Sequence, residues 1–232
     1  MGKSKSKYVI ISGLNLTDNN RGTAALGYGS FYFLREKNLL NYDDIVVTFK
    51  YYNNFLKKEN TTLITSYVEC NGHQVQCKNV PVLRFEKKLL DKFGIVLPFT
   101  RFGRLLKRIR WVAAINGGDG FSDIYGTRTF LGRLLEINIA MKRNIPLILL
   151  PQTIGPFEKS SNRVIADRIM RYAGHVFVRD DKFVGELEKM GLKYEITKDL
   201  SSYMKPQSFD IEILPHAVGL NVSGLTYSNT FR

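Results

Sequence analysis

The 232-residue sequence contains little cysteine, histidine and tryptophan. Its two cysteines, Cys70 and Cys77, are too few for a disulfide framework, and His73 between them leaves too few ligands for a zinc site. They flank Asn71-Gly72, a dipeptide typical of a type I′ hairpin turn. We therefore expect two free thiols in a reducing compartment and no bound metal.

Long apolar runs are also missing from the sequence. No stretch approaches the ~20 apolar residues that a membrane-spanning helix needs, and the run after the basic N-terminus, residues 8–11, is too short for a signal-peptide core. These absences predict a cytoplasmic protein. Acidic residues are scarce too: 21 stand against 34 lysines and arginines, for a formal net charge of +13. Nucleic acid, an anionic membrane surface and phosphorylated small molecules would all satisfy such a charge.

Short β-branched runs alternate with longer amphipathic stretches along the chain. The predicted strands cover residues 8–12, 45–49, 111–115, 146–150, 175–179, 194–197 and 218–222. The predicted helices cover residues 23–38, 129–143, 162–173 and 182–190, with Gly191 placed to end the last one. This order predicts an α/β fold, a Rossmann-like parallel sheet with helices on both faces. Residues 61–80 instead predict a hairpin insertion.

Glycine, amide and charged residues gather directly after the predicted strands. The clusters are residues 13–15, 19–23, 116–120, 151–156, 179–180 and 198–199. Ligands of open α/β sheets bind at the carboxyl ends of the strands, so the clusters together predict a binding site there. Each cluster alone also has a structural explanation. The glycines could form turns, Asp180 suits the N-cap of the next helix, and Arg179 could pair with a neighbouring carboxylate.

Residues 101–111 interleave cations with apolar residues at near-helical spacing. The pattern predicts a basic amphipathic helix. One interpretation places this helix on an anionic lipid surface. The other, which we favour because only one such segment exists, is a surface helix that packs Leu105, Leu106 and Ile109 inward and leaves its cations in solvent.

Read in order, the strand-end clusters resemble the motifs of the polysaccharide pyruvyl transferase family. The matching segments are Asn20-Arg21-Gly22, Gly117-Gly118-Asp119-Gly120-Phe121-Ser122-Asp123, Gln152-Thr153-Ile154-Gly155-Pro156-Phe157, Val178-Arg179-Asp180 and Asp199-Leu200. The Gln-x-Ile-Gly-Pro and Val-Arg-Asp motifs at this separation are the specific part. Many members carry aspartate where this sequence has Thr23, so the function of that acid is not carried over.

The resemblance implies a GT-B-like enzyme with two Rossmann-like domains facing each other across a cleft. Residues 1–200 would form the N-terminal domain, residues 201–215 the linker, and residues 216–232 the start of the second domain. On this basis the sequence is expected to be an incomplete enzyme. The catalytic acid, a histidine in the family, would lie in the rest of the second domain, and this chain alone would be inactive.

The resemblance also implies a reaction: transfer of a pyruvyl group from phosphoenolpyruvate to a pair of sugar hydroxyls, forming a ketal in surface or exopolysaccharide synthesis. The acceptor would be a sugar or lipid-linked oligosaccharide, met in the cytoplasm at the inner face of the membrane. No cofactor, metal or nucleic acid is implied. Arg179 is the expected donor ligand, because a guanidinium fork binds phosphate and carboxylate. The other expected substrate-binding residues are Asn20, Gly22, Gly117, Gly118, Asp119, Gln152 and Gly155, with backbone amides of Gly117, Gly118 and Gly155 facing the substrate.

Two alternatives stay open at this point. A GT-B glycosyltransferase that uses a nucleotide sugar would share the fold of this half. A basic, non-enzymatic domain that binds acidic polysaccharide or nucleic acid would show a broad cationic face and a steep salt dependence, without a glycine-lined cleft. The motifs around Gln152 and Arg179 favour an enzyme over such a domain.

Overall fold

A computed structural model of the chain describes residues 7–53, 62–206, 216 and 218. In this part of the chain, the strands in chain order are β1 (Tyr8–Ser12), β2 (Ile45–Tyr52), β3 (Ile64–Cys70), β4 (His73–Leu83), β5 (Ile109–Ala114), β6 (Leu147–Gln152), β7 (His175–Val178) and β8 (Glu195–Ile196). The helices are α1 (Arg21–Glu36), α2 (Arg84–Phe93), α3 (Arg101–Leu106), α4 (Thr127–Gly132), α5 (Leu135–Arg143), α6 (Ser160–Tyr172) and α7 (Val184–Lys189), followed by a 3-10 helix at Leu200–Tyr203.

The described strands form one sheet in the order β3-β4-β2-β1-β5-β6-β7-β8. All neighbours pair parallel except β3 and β4, which pair antiparallel. The run from β4 to β7 has the strand order of a Rossmann fold. From the adjacent strands β1 and β5 the chain continues in opposite directions, to β2 and to β6, so the topological switch point lies between them. The structure confirms the predicted α/β, Rossmann-like class.

Both faces of the sheet are covered by helices, as predicted. Successive side chains of β1 show why: Val9 and Ile11 belong to one buried cluster and Ile10 to the other. The first face packs against α1 and the 3-10 helix, and the second packs against α2, α3, α5, α6 and α7. A strand that is buried on both faces needs apolar residues at every position, which explains the continuous apolar runs in the sequence.

The hairpin predicted at residues 61–80 is present as β3 and β4, with residue 61 outside the described part of the chain. Asn71 and Gly72 both have positive φ, 53° and 78°, as a type I′ turn requires. The hairpin is not a separate insertion, however. Strand β4 pairs parallel with β2 over eight positions, so the hairpin extends the main sheet at one edge.

The predicted helices are present, with changed boundaries. Helix α1 begins two residues early because the Asn20 side chain caps it, accepting the backbone N–H groups of Gly22 and Thr23 at 3.0 and 3.4 Å. The single helix predicted at residues 129–143 is two helices, α4 and α5. The interruption follows Gly132, a residue that weakens helix continuity.

The amphipathic helix predicted over residues 101–111 is wrong in its second half. Helix α3 ends at Leu106, and β5 begins at Ile109, paired with Tyr8 of β1. Tertiary contacts hold the segment in the strand: the indole N–H of Trp111 donates to the carbonyl of Leu39 at 3.1 Å. The cations of this segment alternate with apolar residues, so the pattern suited a strand as well as a helix.

The segment after β8 packs on the first face of the sheet. Leu200 is fully buried, and Tyr203 meets Phe33 of α1 edge to face with ring centroids 5.1 Å apart. The predicted linker, residues 201–215, is described only as far as Pro206. The strand predicted at residues 218–222 lies outside the described residues, apart from Val218. Of the helices that the structure describes, none has both the length and the apolar character needed to cross a bilayer.

Candidate functional site

The loops that follow β1 and β5 enclose a cleft of about 560 Å³ at the topological switch point. Because these strands are parallel neighbours, their carboxyl ends meet at one edge of the sheet. Three of the predicted site residues line this switch-point cleft: Asn20, Gly117 and Asp119. Thr23 lines it as well. The lining residues that no sequence motif indicated are Ser12, Asp18, Tyr125, Arg133 and Glu136.

Glu136, in the first turn of α5, contributes a partly buried carboxyl group to the cleft. The Ser12 hydroxyl donates to Oε2 at 3.0 Å, and the Tyr51 hydroxyl donates to Oε1 at 3.2 Å. Burial raises the pKa of Glu136, and the hydrogen bonds from Ser12 and Tyr51, together with the nearby Lys87 ammonium, only partly offset that effect. The pKa of Tyr51 is raised by its own burial and by the adjacent carboxylate. Glu136 is therefore suited to proton transfer.

Asn116 follows β5 and lines the cleft in the left-handed conformation, with φ of 49°. Its side-chain N–H donates to Oε1 of Gln152 at 3.2 Å, and Gln152 in turn donates to the carbonyl of Ala114 at 3.2 Å. Gln152 is 0% exposed, so it supports Asn116 from below and does not line the cleft. The side-chain oxygen of Asn116 is buried and has no hydrogen-bond partner among the described residues.

The glycines after β5 allow side chains from other loops to approach closely. A Cβ at Gly118, where φ is 87°, would lie 2.9 Å from Nη1 of Arg179. A Cβ at Gly120 would lie 1.7 Å from Nη1 of Arg133, which donates to the carbonyl of Asn116 at 3.3 Å. Gly118 needs glycine because its φ is positive, and Gly120 needs glycine because a Cβ there would also lie 2.1 Å from the backbone oxygen of Asn116.

Arg179 lies at the carboxyl end of β7, beside Gly118 and next to the switch-point cleft. Its Nε donates to the Thr153 hydroxyl at 3.0 Å, and its Nη1 forms an ion pair with Oδ2 of Asp199 at 2.9 Å. The pairing with a neighbouring carboxylate, one of the two explanations given for Arg179, is thus observed. Burial alone would raise the pKa of Asp199, but hydrogen bonds from Ser201 and Arg179 lower it overall. About a quarter of the Arg179 side chain, 26%, stays exposed.

Asp180 does not cap the next helix, although the N-cap was the structural role that the sequence suggested for it. The residue before α7 is Phe183, and Oδ1 of Asp180 instead accepts the backbone N–H of Lys182 at 3.3 Å. Its Oδ2 accepts the hydroxyl of Thr153, which joins Asp180 to the same cluster as Arg179.

Asp123, the downstream acid of the Gly-Gly motif, connects the β5 loop to the start of α6. Its carboxylate accepts the backbone N–H groups of Glu158 and Lys159 at 2.9 and 3.1 Å, and the side-chain N–H of Asn162 at 2.8 Å. Burial pushes the pKa of Asp123 upward, but these hydrogen bonds outweigh it and lower the pKa overall. All three of these hydrogen bonds come from groups of the protein itself, so Asp123 is a structural residue that holds the β5 loop against the start of α6.

Two predicted site residues lie away from the switch-point cleft. Gly155, with φ of 80°, faces Phe157 and Phe183 and lines a separate apolar groove of about 400 Å³ between α6 and α7. Gly22 is in the first turn of α1, outside the cleft lining, and donates its N–H to the Asn20 side chain. The backbone N–H groups of Gly118 and Gly155 donate to the carbonyls of Ile115 and Phe121. These two amides are therefore not free for a substrate, contrary to expectation.

The sequence pattern of most of the described region has a known counterpart. The family model for polysaccharide pyruvyl transferases matches residues 20–209, a span that includes α1 with its N-cap, the loop after β5 and the Arg179 cluster. The chain belongs to the polysaccharide pyruvyl transferase family. No curated protein and no solved structure matches it at a significant level.

The charge distribution of this transferase's cleft favours neutral, hydroxyl-rich ligands. Three carboxyl groups line it, those of Asp18, Asp119 and Glu136, against one guanidinium, that of Arg133. Carboxylates accept hydrogen bonds from hydroxyls and repel phosphate. Within residues 7–53 and 62–206, no group of three or more histidine, cysteine or acidic side chains is placed to hold a metal ion. Both cysteines are free and buried.

Proposed function

We propose that the protein transfers the pyruvyl group of phosphoenolpyruvate to two hydroxyls of a sugar unit, forming a cyclic ketal on a surface or exopolysaccharide. Membership of the family supports a transferase that acts on polysaccharide. The observation that carries the proposal further is the carboxyl-lined switch-point cleft, with Glu136 among its lining residues.

The acceptor sugar binds in the switch-point cleft in this proposal. Sugar hydroxyls donate to the carboxylates of Asp18 and Asp119, which line the cleft. Asn20 adds polar contacts from the loop after β1. The acceptor is a free sugar unit or a lipid-linked oligosaccharide, met at the cytoplasmic face of the membrane.

The donor binds next to the acceptor, at Arg179. Phosphoenolpyruvate carries a phosphate and a carboxylate, and a guanidinium can bind either with two parallel hydrogen bonds. Asp199 occupies one side of Arg179 in the structure, so the donor anion replaces or joins that carboxylate. Only the backbone at Gly118 lies between Arg179 and the cleft. A donor bound at Arg179 and an acceptor bound in the cleft would therefore be neighbours.

The reaction balances when the proton that Glu136 takes from the first sugar hydroxyl is returned to the acid, directly or through solvent, at the end of each turnover. An acid protonates the methylene carbon of phosphoenolpyruvate, and the neighbouring carbon becomes electron-poor. The Glu136 carboxylate takes the proton of the first sugar hydroxyl, whose oxygen bonds to that carbon. The second hydroxyl then displaces phosphate as the carbon–oxygen bond to phosphorus breaks, and its proton leaves with phosphate. A raised pKa makes Glu136 a stronger base than an ordinary carboxylate.

The proposal includes a GT-B-like arrangement. Residues 1–200 form the N-terminal domain, residues 201–215 the linker, and residues from 216 onward belong to a second domain that supplies the acid. The packing of the 3-10 helix against α1 supports an N-terminal domain whose last packed residues come before Pro206.

A substrate panel tests the proposal. The chain, joined to the proposed second domain that supplies the acid, is incubated with phosphoenolpyruvate and a set of oligosaccharides, and with nucleotide sugars and the same acceptors. Phosphate release that requires both phosphoenolpyruvate and a sugar, with a new ketal methyl signal in the NMR spectrum, is the expected result. Transfer of a sugar from a nucleotide donor would contradict the proposal and identify a glycosyltransferase.

A further inference from the structure

The exposed phenylalanines of the described chain are concentrated in one segment. Phe85 and Phe93 on α2 are 60% and 68% exposed, and Phe99, before α3, is 73% exposed. Ile95, between the two helices, is 49% exposed. No other phenylalanine in the described part of the chain is exposed. We call residues 84–108, with these four apolar side chains, the α2–α3 surface.

Cations share this surface with the apolar side chains. On α2, Lys88 and Lys92 follow Phe85 by three and seven residues, so all three side chains lie on one helix face. The opposite face packs inward through Leu90, which is buried. The outer face of α2 is therefore both aromatic and basic, while the inner face is part of the core.

The α2–α3 surface carries nearly half of the formal charge of the protein. Its eight cations are Arg84, Lys87, Lys88, Lys92, Arg101, Arg104, Lys107 and Arg108. Two acids, Glu86 and Asp91, leave a net charge of +6 (8 − 2), against +13 for the chain. Glu86 is buried, and Asp91 lies 4.0 Å from Lys87 and offsets the charge of that one lysine.

We propose that the α2–α3 surface docks on an anionic membrane. Phe85, Phe93, Ile95 and Phe99 enter the boundary between headgroups and acyl chains, and the surrounding lysines and arginines contact lipid phosphates. Exposed apolar side chains cost free energy in water, and a bilayer removes them from it, whereas the complementary charge selects anionic lipid. The proposal does not depend on the proposed reaction. It also differs from an amphipathic helix over residues 101–111, because Phe102 and Leu106 are buried in the core.

Co-sedimentation with vesicles tests the electrostatic part. The full chain is mixed with vesicles of phosphatidylcholine containing phosphatidylglycerol, and with vesicles of phosphatidylcholine alone. We expect binding to the anionic vesicles only. Each lysine near an anionic surface contributes a factor of about five, so Lys88→Gln combined with Lys92→Gln should lower the partition coefficient about thirtyfold. The matched control, Arg21→Gln with Lys205→Gln, removes two exposed cations from α1 and from the segment after the 3-10 helix, which pack on the other face of the sheet, and should bind like the wild type.

A second pair of variants tests the apolar part. Phe93→Ser with Phe99→Ser should lower binding to anionic vesicles at least tenfold, because the large apolar contact with the bilayer is lost. Tyr67→Ser with Val164→Ser, which removes exposed apolar side chains elsewhere, should leave binding unchanged. Thermal melts of all variants confirm that each is folded before binding is compared.

Several outcomes would overturn the proposal. Equal recovery of the wild type in the supernatant of both vesicle types would remove it, and so would unchanged binding by the Phe93→Ser, Phe99→Ser protein. A dimer that these substitutions dissociate, with no vesicle binding, would identify a contact between two copies of the chain. Salt-sensitive binding of single-stranded RNA without vesicle binding would assign the surface to nucleic acid.

Discussion

The protonation of Glu136 is coupled to folding. Ser12 and Tyr51 hydrogen-bond both of its oxygens, yet burial still raises its pKa. The unfolded chain therefore releases this proton at a lower pH than the folded chain does. Stability is lost as pH rises from the ordinary pKa of glutamate through the raised one, and the loss persists at neutral pH.

Glu136→Gln removes this coupling and keeps a group that can hydrogen-bond Ser12 and Tyr51. We expect the variant to melt at a higher temperature than the wild type at about pH 7, with a smaller difference at about pH 4. Thermal unfolding followed by circular dichroism measures both. Glu36→Gln, at an exposed position at the end of α1, is the control and should show neither effect. A Glu136→Gln protein that is less stable than the wild type at neutral pH would contradict the raised pKa.

Arg179 provides the second prediction at this scale. Arg179→Lys keeps a positive charge but loses the fork that contacts Thr153 and Asp199. If Arg179 binds the donor, the KM for phosphoenolpyruvate should rise about tenfold or more, since a charge-assisted hydrogen bond contributes about 1.5–3 kcal/mol. Steady-state kinetics with varied phosphoenolpyruvate measure this. The control is Arg168→Lys, on an exposed position of α6, and an unchanged KM in Arg179→Lys would remove the assignment.

The individual residues of the site were predictable to different degrees. Asn20, Gly117 and Asp119 could be placed at the cleft because strand ends in parallel sheets share an edge. Glu136 could not, because it lies inside an ordinary amphipathic helix pattern, and its carboxyl group reaches the cleft only through tertiary packing. Gln152 matches a family motif, but whether such an amide faces a ligand or the core depends on strand orientation.

At the scale of elements, the packing of the 3-10 helix on α1 connects the end of the domain to the site. Asp199, the partner of Arg179, directly precedes Leu200, whose backbone carbonyl lies against Gly29 of α1. A Cβ at Gly29 would come within 1.8 Å of that carbonyl oxygen. The close approach of these two elements therefore requires glycine at this position.

Gly29→Ala should force the 3-10 helix away from α1 and lower the free energy of unfolding by about 1–3 kcal/mol through overpacking. It should also weaken the Arg179–Asp199 pair. Denaturant unfolding measures the first effect. Gly185→Ala, in α7, is the control: a Cβ there meets nothing within 4 Å, so the change should be neutral or slightly stabilising. Equal stability of Gly29→Ala and wild type would show that the two elements are not held this closely.

Secondary structure could be predicted well where a strand is buried on both faces, and poorly where the same sequence pattern suits both a helix and a strand. Strand β1 was predicted with its observed bounds, because five consecutive apolar or small residues between polar segments suit a strand buried on both faces. In residues 101–111, cations and apolar residues are spaced in a way that suits either a helix or a strand. Pairing of Ile109 with Tyr8 decides the outcome, and such long-range contacts cannot be read from local spacing.

At the scale of the whole molecule, charge is separated between two regions. The switch-point cleft is lined by three carboxyl groups and one guanidinium, whereas the α2–α3 surface carries a net charge of +6 (8 − 2). A basic domain that binds acidic polymers along a broad face would not need a carboxyl-lined cleft. The separation instead suits an enzyme that binds hydroxyl groups at one place and an anionic surface at another.

The central claim is that the protein moves a pyruvyl group onto a sugar, and the fate of a labelled carbon tests it most directly. Phosphoenolpyruvate labelled with ¹³C at the methylene carbon is incubated with an acceptor oligosaccharide and the chain joined to the proposed second domain, which supplies the acid. The label should appear as the methyl group of a ketal on the sugar, with one phosphate released per ketal. Glu136→Gln should slow this step by about a hundredfold or more, as loss of a general base does. Label that stays in phosphoenolpyruvate while the protein transfers sugar from a nucleotide donor would contradict the account.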